Sequence, residues 1–124
     1  MKELTKAEDQ VMQILWKLKK AFVHDIIVHI PEPKPAYNTI STIVRILVKK
    51  GFVDYKAYGK THEYFPIIDK SKYSNFYINN FVGKYFSGSF QNMVSFFAQE
   101  NQLTSDQVEE MMKNVEADLK NKDE

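Results

Sequence analysis

Apolar residues recur at helical spacing through Ala7, Val11, Ile14, Leu15 and Leu18, and Thr5-Lys6-Ala7-Glu8 ahead of them has the S/T-x-x-E form of a capping box. A first helix running to about Lys19 follows. Val23 to Ile30, with Ile26, Ile27 and Ile30 apolar, reads as a short second helix without a good N-cap at Phe22, and Pro31 stops it. Pro31-Glu32-Pro33-Lys34-Pro35 is a stiff turn. From Ala36 to Lys50 the pattern is helical again: Ile40, Ile43, Val44 and Leu47 make one side, and Asn38, Ser41, Thr42, Arg45 and Lys49 the other. Gly51 suits the end of that helix. Phe52 to Tyr58 and Lys60 to Ile67, rich in β-branched and aromatic residues and joined through Gly59, read as a hairpin. Three helices followed by a hairpin is the order of a winged helix-turn-helix.

Beyond Asp69 the pattern changes. Tyr73, Phe76, Tyr77, Phe81, Tyr85 and Phe86 are spaced for one aromatic helix that Gly88 ends, and a further helix is expected from Phe90 to about Glu100. Thr104-Ser105-Asp106-Gln107 opens a last helix in which Val108, Met111 or Met112, Val115 and Leu119 form an apolar stripe; Asn121 to Glu124 should fray. So short a segment cannot build a second core of its own. Its apolar faces need a partner, and a homodimer formed through Tyr73, Phe76, Tyr77, Phe81, Val108, Met111, Met112, Val115 and Leu119 supplies one. The expected fold is therefore mainly α with a small β-hairpin: a winged helix-turn-helix over 1–70 and a C-terminal helical dimerisation arm over 71–124.

Composition narrows the function. The hydrophobic share of 44% and charged share of 27% suit a soluble globular chain. There is no apolar run of membrane length and no signal-type block after Met1, so a cytoplasmic protein without membrane insertion is expected. Lack of cysteine removes disulfides, thiolate metal sites and cysteine nucleophiles. The net charge of +1 hides an asymmetry: residues 1–70 hold 12 Lys or Arg against 8 Asp or Glu, whereas residues 71–124 hold 5 against 8. Between Lys34 and His62, six cations face Asp54 alone, the electrostatic footprint of a polyanion partner.

Catalytic chemistry finds little support. His24 and His29 are five apart, which does not place both on one helix face as a metal pair would be, and His62 falls on the hairpin. No glycine-rich phosphate loop or nucleophilic triad has supporting context, so neither an enzyme nor a cofactor is expected. Trp16 sits in an amphipathic helix and reads as core, and the acidic balance of the arm makes its aromatics an interface rather than a base-stacking platform. The polar face of the third helix is different. Short polar groups at a helix start can approach base edges, the free N–H groups there attract phosphate, and basic residues follow. Tyr37, Asn38, Thr39, Ser41, Thr42, Arg45 and Lys49, with Lys60 at the hairpin tip, form the candidate surface for double-stranded DNA. A winged helix can also serve as a docking module for protein, which would expose apolar anchors on that face.

Several segments resemble the penicillinase-repressor family, also called BlaI/MecI/CopY. Leu4-Thr5-Lys6-Ala7-Glu8 with Val11-Met12-Gln13-Ile14-Leu15-Trp16 resembles its opening helix, and Ala36 to Ile43 its recognition helix. Lys49 to Val53, Gly59-Lys60 and Tyr64-Phe65-Pro66 resemble the entry, tip and return of the wing, and Leu103 to Val108 the start of the last arm helix. The resemblance implies a dimeric repressor on a palindromic operator, released when a membrane-bound metalloprotease sensor leads to cleavage of an Asn-Phe bond in the arm. Aligning Met93 to Ala98 with that segment keeps Phe97 but puts Phe96 where Asn stands. Copper sensing, which uses cysteines in one branch of the family, does not carry over, and Ser41 replaces an Arg common in the recognition helix.

Overall fold

The computed structural model describes residues 1–123, which separate into two compact units, Met1–Tyr77 and the residues from Ile78 onward. In the first unit α1 spans Lys6–Leu18, α2 Val23–Val28 and α3 Tyr37–Lys49, and β1 (Val53–Tyr58) pairs with β2 (Thr61–Pro66) in an antiparallel hairpin. The expected winged-helix order is present.

Local chemistry sets most boundaries. At the start of α1 the Glu8 carboxylate accepts from Thr5 N–H at 3.0 Å and Thr5 Oγ1 from Glu8 N–H at 3.2 Å, closing the capping box. The helix ends where Lys19 takes φ 72 and donates to Leu15 O. No side chain caps Phe22 from its own position, but the Asp25 carboxylate reaches back to its N–H at 2.9 Å. The second helix is shorter than its apolar pattern suggested: His29 and Ile30 N–H turn to Ile26 and Ile27 carbonyls in a tighter turn, and Lys34 Nζ donates to the carbonyls of Ile27, Val28 and Ile30. Between the strands Gly59 takes φ 65, the positive value that the first position of a two-residue hairpin loop favours.

The core gathers Val11, Met12 and Leu15 from α1, Ile26 from α2, Ile40, Val44 and Leu47 from α3, then Phe52, Val53 and Tyr64 from the hairpin region. Ala21 and Tyr64 exchange backbone hydrogen bonds at 2.8 and 2.9 Å, tying the turn after α1 to the returning wing strand. Trp16 packs on this core as expected and donates from Nε1 to Ile68 O at 2.9 Å.

Helix α4 (Lys70–Tyr85) crosses from one unit to the other. Its first turns carry Tyr73, whose ring lies 5.6 Å from Phe52 and 6.0 Å from Trp16, and whose hydroxyl accepts from Leu4 N–H at 2.8 Å. The division expected at Lys70 therefore falls later, because Tyr73 and Phe76 pack with the first core. The second unit continues with α5 (Phe90–Glu100) and α6 (Ser105–Asp123). Ser87 and Gly88 take φ 51 and 78 to end α4, Ser89 Oγ caps α5 at Asn92 N–H, and Thr104 and Gln107 form the expected reciprocal box at α6. Asn121 to Asp123, expected to fray, continue α6, and Glu124 lies outside the described residues.

Candidate nucleic-acid interface

Helix α3 presents its candidate face because the other side is held by Ile40, Val44 and Leu47, all in the core. At about 100° per residue this leaves Asn38, Thr42, Arg45 and Lys49 along the middle of the outer arc, and all four are exposed. Tyr37 and Thr39 are exposed at the helix start and Ser41 is half-buried. Ala36 is the N-cap and offers no side-chain acceptor, so the α3 N-terminus keeps backbone N–H groups and its positive dipole end for an external anion. No carboxylate occurs anywhere in the helix.

Two of the groups have internal partners. Thr42 Oγ1 donates to Asn38 O at 2.8 Å, so its proton is committed to the helix and only its lone pairs remain for a base edge. Arg45 Nε donates to Ser41 O at 3.2 Å, which steers the guanidinium along the helix and leaves its terminal nitrogens. A cleft of about 440 Å³ opens between α2, α3 and the wing, lined among others by His24, Tyr37, Ser41, Arg45, Lys60 and His62. Both lining histidines pack on rings: His24 lies 4.9 Å from Tyr37, tilted, and His62 is parallel to Tyr55, which lies outside the lining, at 4.3 Å. Tyr64 forms part of the lining, and burial pushes its phenol above the ordinary value, with the nearby Arg45 charge opposing that rise.

The basic footprint is smaller than the sequence count. Lys34 is spent on the C-terminal carbonyls of α2, and Lys50 pairs with Glu8 at 2.7 Å. Burial pushes the Glu8 carboxyl up, but the hydrogen bonds from Lys50 and Thr5 and the Lys50 charge outweigh it and hold Glu8 below the ordinary carboxylate value. The cations left to an outside partner are Arg45 and Lys49 on α3 with Lys56 and Lys60 on the wing, where Lys56 lies 5.4 Å above the Tyr58 ring. Ile46 was missed by sequence reasoning: it is 38% exposed on the outer flank of α3, although its residue type suggests the core. The exposed neighbours Thr39 and Thr42 at helical spacing were the available signal.

The residues expected in a dimer interface divide between the units. Tyr73 is buried in the first core and Phe76 packs against it, so Tyr73 is withdrawn from any partner, while Tyr77 is exposed. Within the second unit the Phe81 ring lies tilted against Tyr85 and Phe86 at 5.0 and 5.8 Å, Val108 is half-buried, and Met111, Met112, Val115 and Leu119 are exposed. Phe96 and Phe97 lie inside α5 and are exposed, with Phe96 5.4 Å from Phe86. No helix among the described residues is long and apolar enough to cross a membrane.

Comparison with known proteins extends the match over both units. The penicillinase repressor family matches residues 4–117. The methicillin resistance regulatory protein MecI of Staphylococcus aureus strain N315 is 34% identical over 110 residues, covering 88% of this chain and 89% of MecI. The penicillinase repressor of Bacillus licheniformis is 26% identical over 115 residues, covering 92% of this chain and 90% of its own length. Among solved structures, the DNA binding domain of the repressor BlaI superposes with a TM-score of 0.50 at 30% identity, covering 59% of this chain and 94% of that domain. With a match that runs from the first helix through most of the last, this chain belongs to the penicillinase repressor family.

Proposed function

We propose that the protein is a DNA-binding transcriptional repressor, not an enzyme, that grips a palindromic operator as a homodimer through the unit from Ile78 onward. The observation that carries this reading is the outer face of α3: polar and basic, free of carboxylates, uncapped at its N-terminus and flanked by the Lys60 wing tip. Asn38 at the helix start is placed to enter the major groove, and Arg45, Lys49 and Lys60 to hold phosphates on either side. Dimerisation follows from the exposed Met111, Met112, Val115 and Leu119, which recur at helical spacing along α6. Two linked DNA-binding units gain affinity because the second half-site is met at high effective concentration.

Release from DNA would come from cutting the arm, as the family resemblance implies, at or near the exposed Phe96-Phe97 pair, after a membrane-bound metalloprotease sensor is activated. Breaking α5 severs α6 from the winged helix and removes that linkage. Two measurements test the reading. Sedimentation of the full chain at tens of micromolar should give a dimer, and footprinting on the DNA upstream of its own gene should protect two half-sites about 10 base pairs apart centre to centre, or a multiple. A monomer with no protected site would refute it. Mass spectrometry of the protein from induced cells should show a fragment ending near Phe96; intact chain during rising transcription would exclude proteolytic release.

A further inference from the structure

The outer surface of α3 is not uniform. One flank, with Tyr37, Ser41 and Arg45, lines the cleft shared with the wing. The other carries Thr39, Thr42 and Ile46, all exposed and all β-branched, at the i, i+3, i+7 spacing that stacks side chains into one ridge. Because the Thr42 hydroxyl donates back to Asn38 O, the side chain is fixed by that bond, and its methyl group is the part with no polar duty. Ile46 stands one turn further on, 38% exposed on a helix whose other aliphatic residues are buried or half-buried. An apolar ridge on a major-groove face has one matching feature on DNA, the 5-methyl group of thymine. Seven residues of helix rise about 10 Å, or about three base-pair steps.

We infer that Thr39, Thr42 and Ile46 read thymine 5-methyl groups, with Ile46 the specificity-determining residue at the far end of the ridge. This rests on α3 being the DNA-reading helix proposed above. It differs from a hydrogen-bond reading of Thr42 in a testable respect: the methyl group, not the hydroxyl, carries the discrimination.

The probe is a 30-base-pair duplex carrying the site that the full-length protein selects from a randomised pool, with each thymine replaced in turn by deoxyuracil in both half-sites. Deoxyuracil keeps every hydrogen-bonding group and removes only the methyl. At one or more positions the wild type should lose about 4-fold in affinity for each methyl group read, about 16-fold when both half-sites are changed. Ile46→Ala should bind the thymine and deoxyuracil duplexes equally at its own position. Thr42→Ser, which keeps the hydroxyl and drops the methyl, should reproduce the insensitivity at a neighbouring position. If no deoxyuracil replacement weakens the wild type, or if Ile46→Ala retains every wild-type loss, the ridge does not read methyl groups even though the selected site is bound. Failure to select any sequence would instead overturn the DNA-reading role itself.

Discussion

The two units differ in how many of their apolar side chains they bury. In residues 1–77 the helices and wing close over a continuous core, from Val11 and Met12 through Phe52 to Tyr73, and the exposed side of α3 is polar and basic apart from Tyr37 and Ile46. Beyond Tyr77, Val82 is the only apolar side chain among the described residues that is buried, while Phe90, Phe96, Phe97, Met111, Met112, Val115 and Leu119 remain exposed. A chain that closes one unit over a core and leaves the other with almost no buried apolar side chain suits, on the reading proposed above, two kinds of contact. The first is with a hydrated, charged polymer, where shape and cations suffice. The second is with another apolar surface, where burial itself supplies the affinity.

Removing one large apolar group from each unit puts that contrast at greatest risk. Phe52→Ala, in a fully buried position, should lower stability by about 3–5 kcal/mol at every protein concentration, read by urea denaturation. Leu119→Asp should instead leave the unfolding of the winged helix unchanged and weaken self-association by tenfold or more, since a carboxylate stranded in an apolar interface costs several kcal/mol. Equilibrium sedimentation checks it. Equal behaviour of the two variants would erase the distinction between core and interface.

A smaller effect is expected at Glu8, which caps α1 and pairs with Lys50 on α3's C-terminal side. Glu8→Gln should cost about 1–2 kcal/mol near neutral pH. Its folded value lies below the ordinary 4.5, so the wild-type advantage is present above that pH and fades as pH falls through the lower folded value. Urea melts of both proteins between neutral and strongly acid pH should therefore converge on acidification. Tyr73→Phe should cost less, about 1 kcal/mol, by leaving Leu4 N–H without its acceptor while keeping the ring packing. Its thermal midpoint should fall with no change in dimer affinity; a change in affinity would return Tyr73 to the interface.

What the sequence revealed was what neighbours in the chain decide. Thr5 with Glu8 and Thr104 with Gln107 are three residues apart and bond reciprocally, so their pattern is their structure. Gly59 and Gly51 stand where positive φ is needed, and the hairpin and helix ends follow. Long-range pairing was hidden. The charges of Lys34 and Lys50 count alike in a sum, yet one closes the end of α2 and the other meets Glu8 across 42 positions. Tyr73 looked like its aromatic neighbours in α4, but only the folded core shows its hydroxyl at Leu4. Ile46 has a core residue's identity at an exposed position, and the sequence pattern assigns it to neither side of α3.

In the proposed complex the α3 face and the wing tip bind DNA in different ways, and a salt titration on selected and random duplexes separates them. Asn38→Ala should lose roughly 1–3 kcal/mol on the selected duplex while its random-duplex affinity and salt slope stay those of the wild type. Lys60→Ala should weaken binding to both duplexes and reduce the slope of log affinity against log salt by about one unit for each phosphate that a subunit no longer neutralises. If both variants bind both duplexes with wild-type affinity and slope, α3 does not read DNA, and its exposed face serves a protein partner instead.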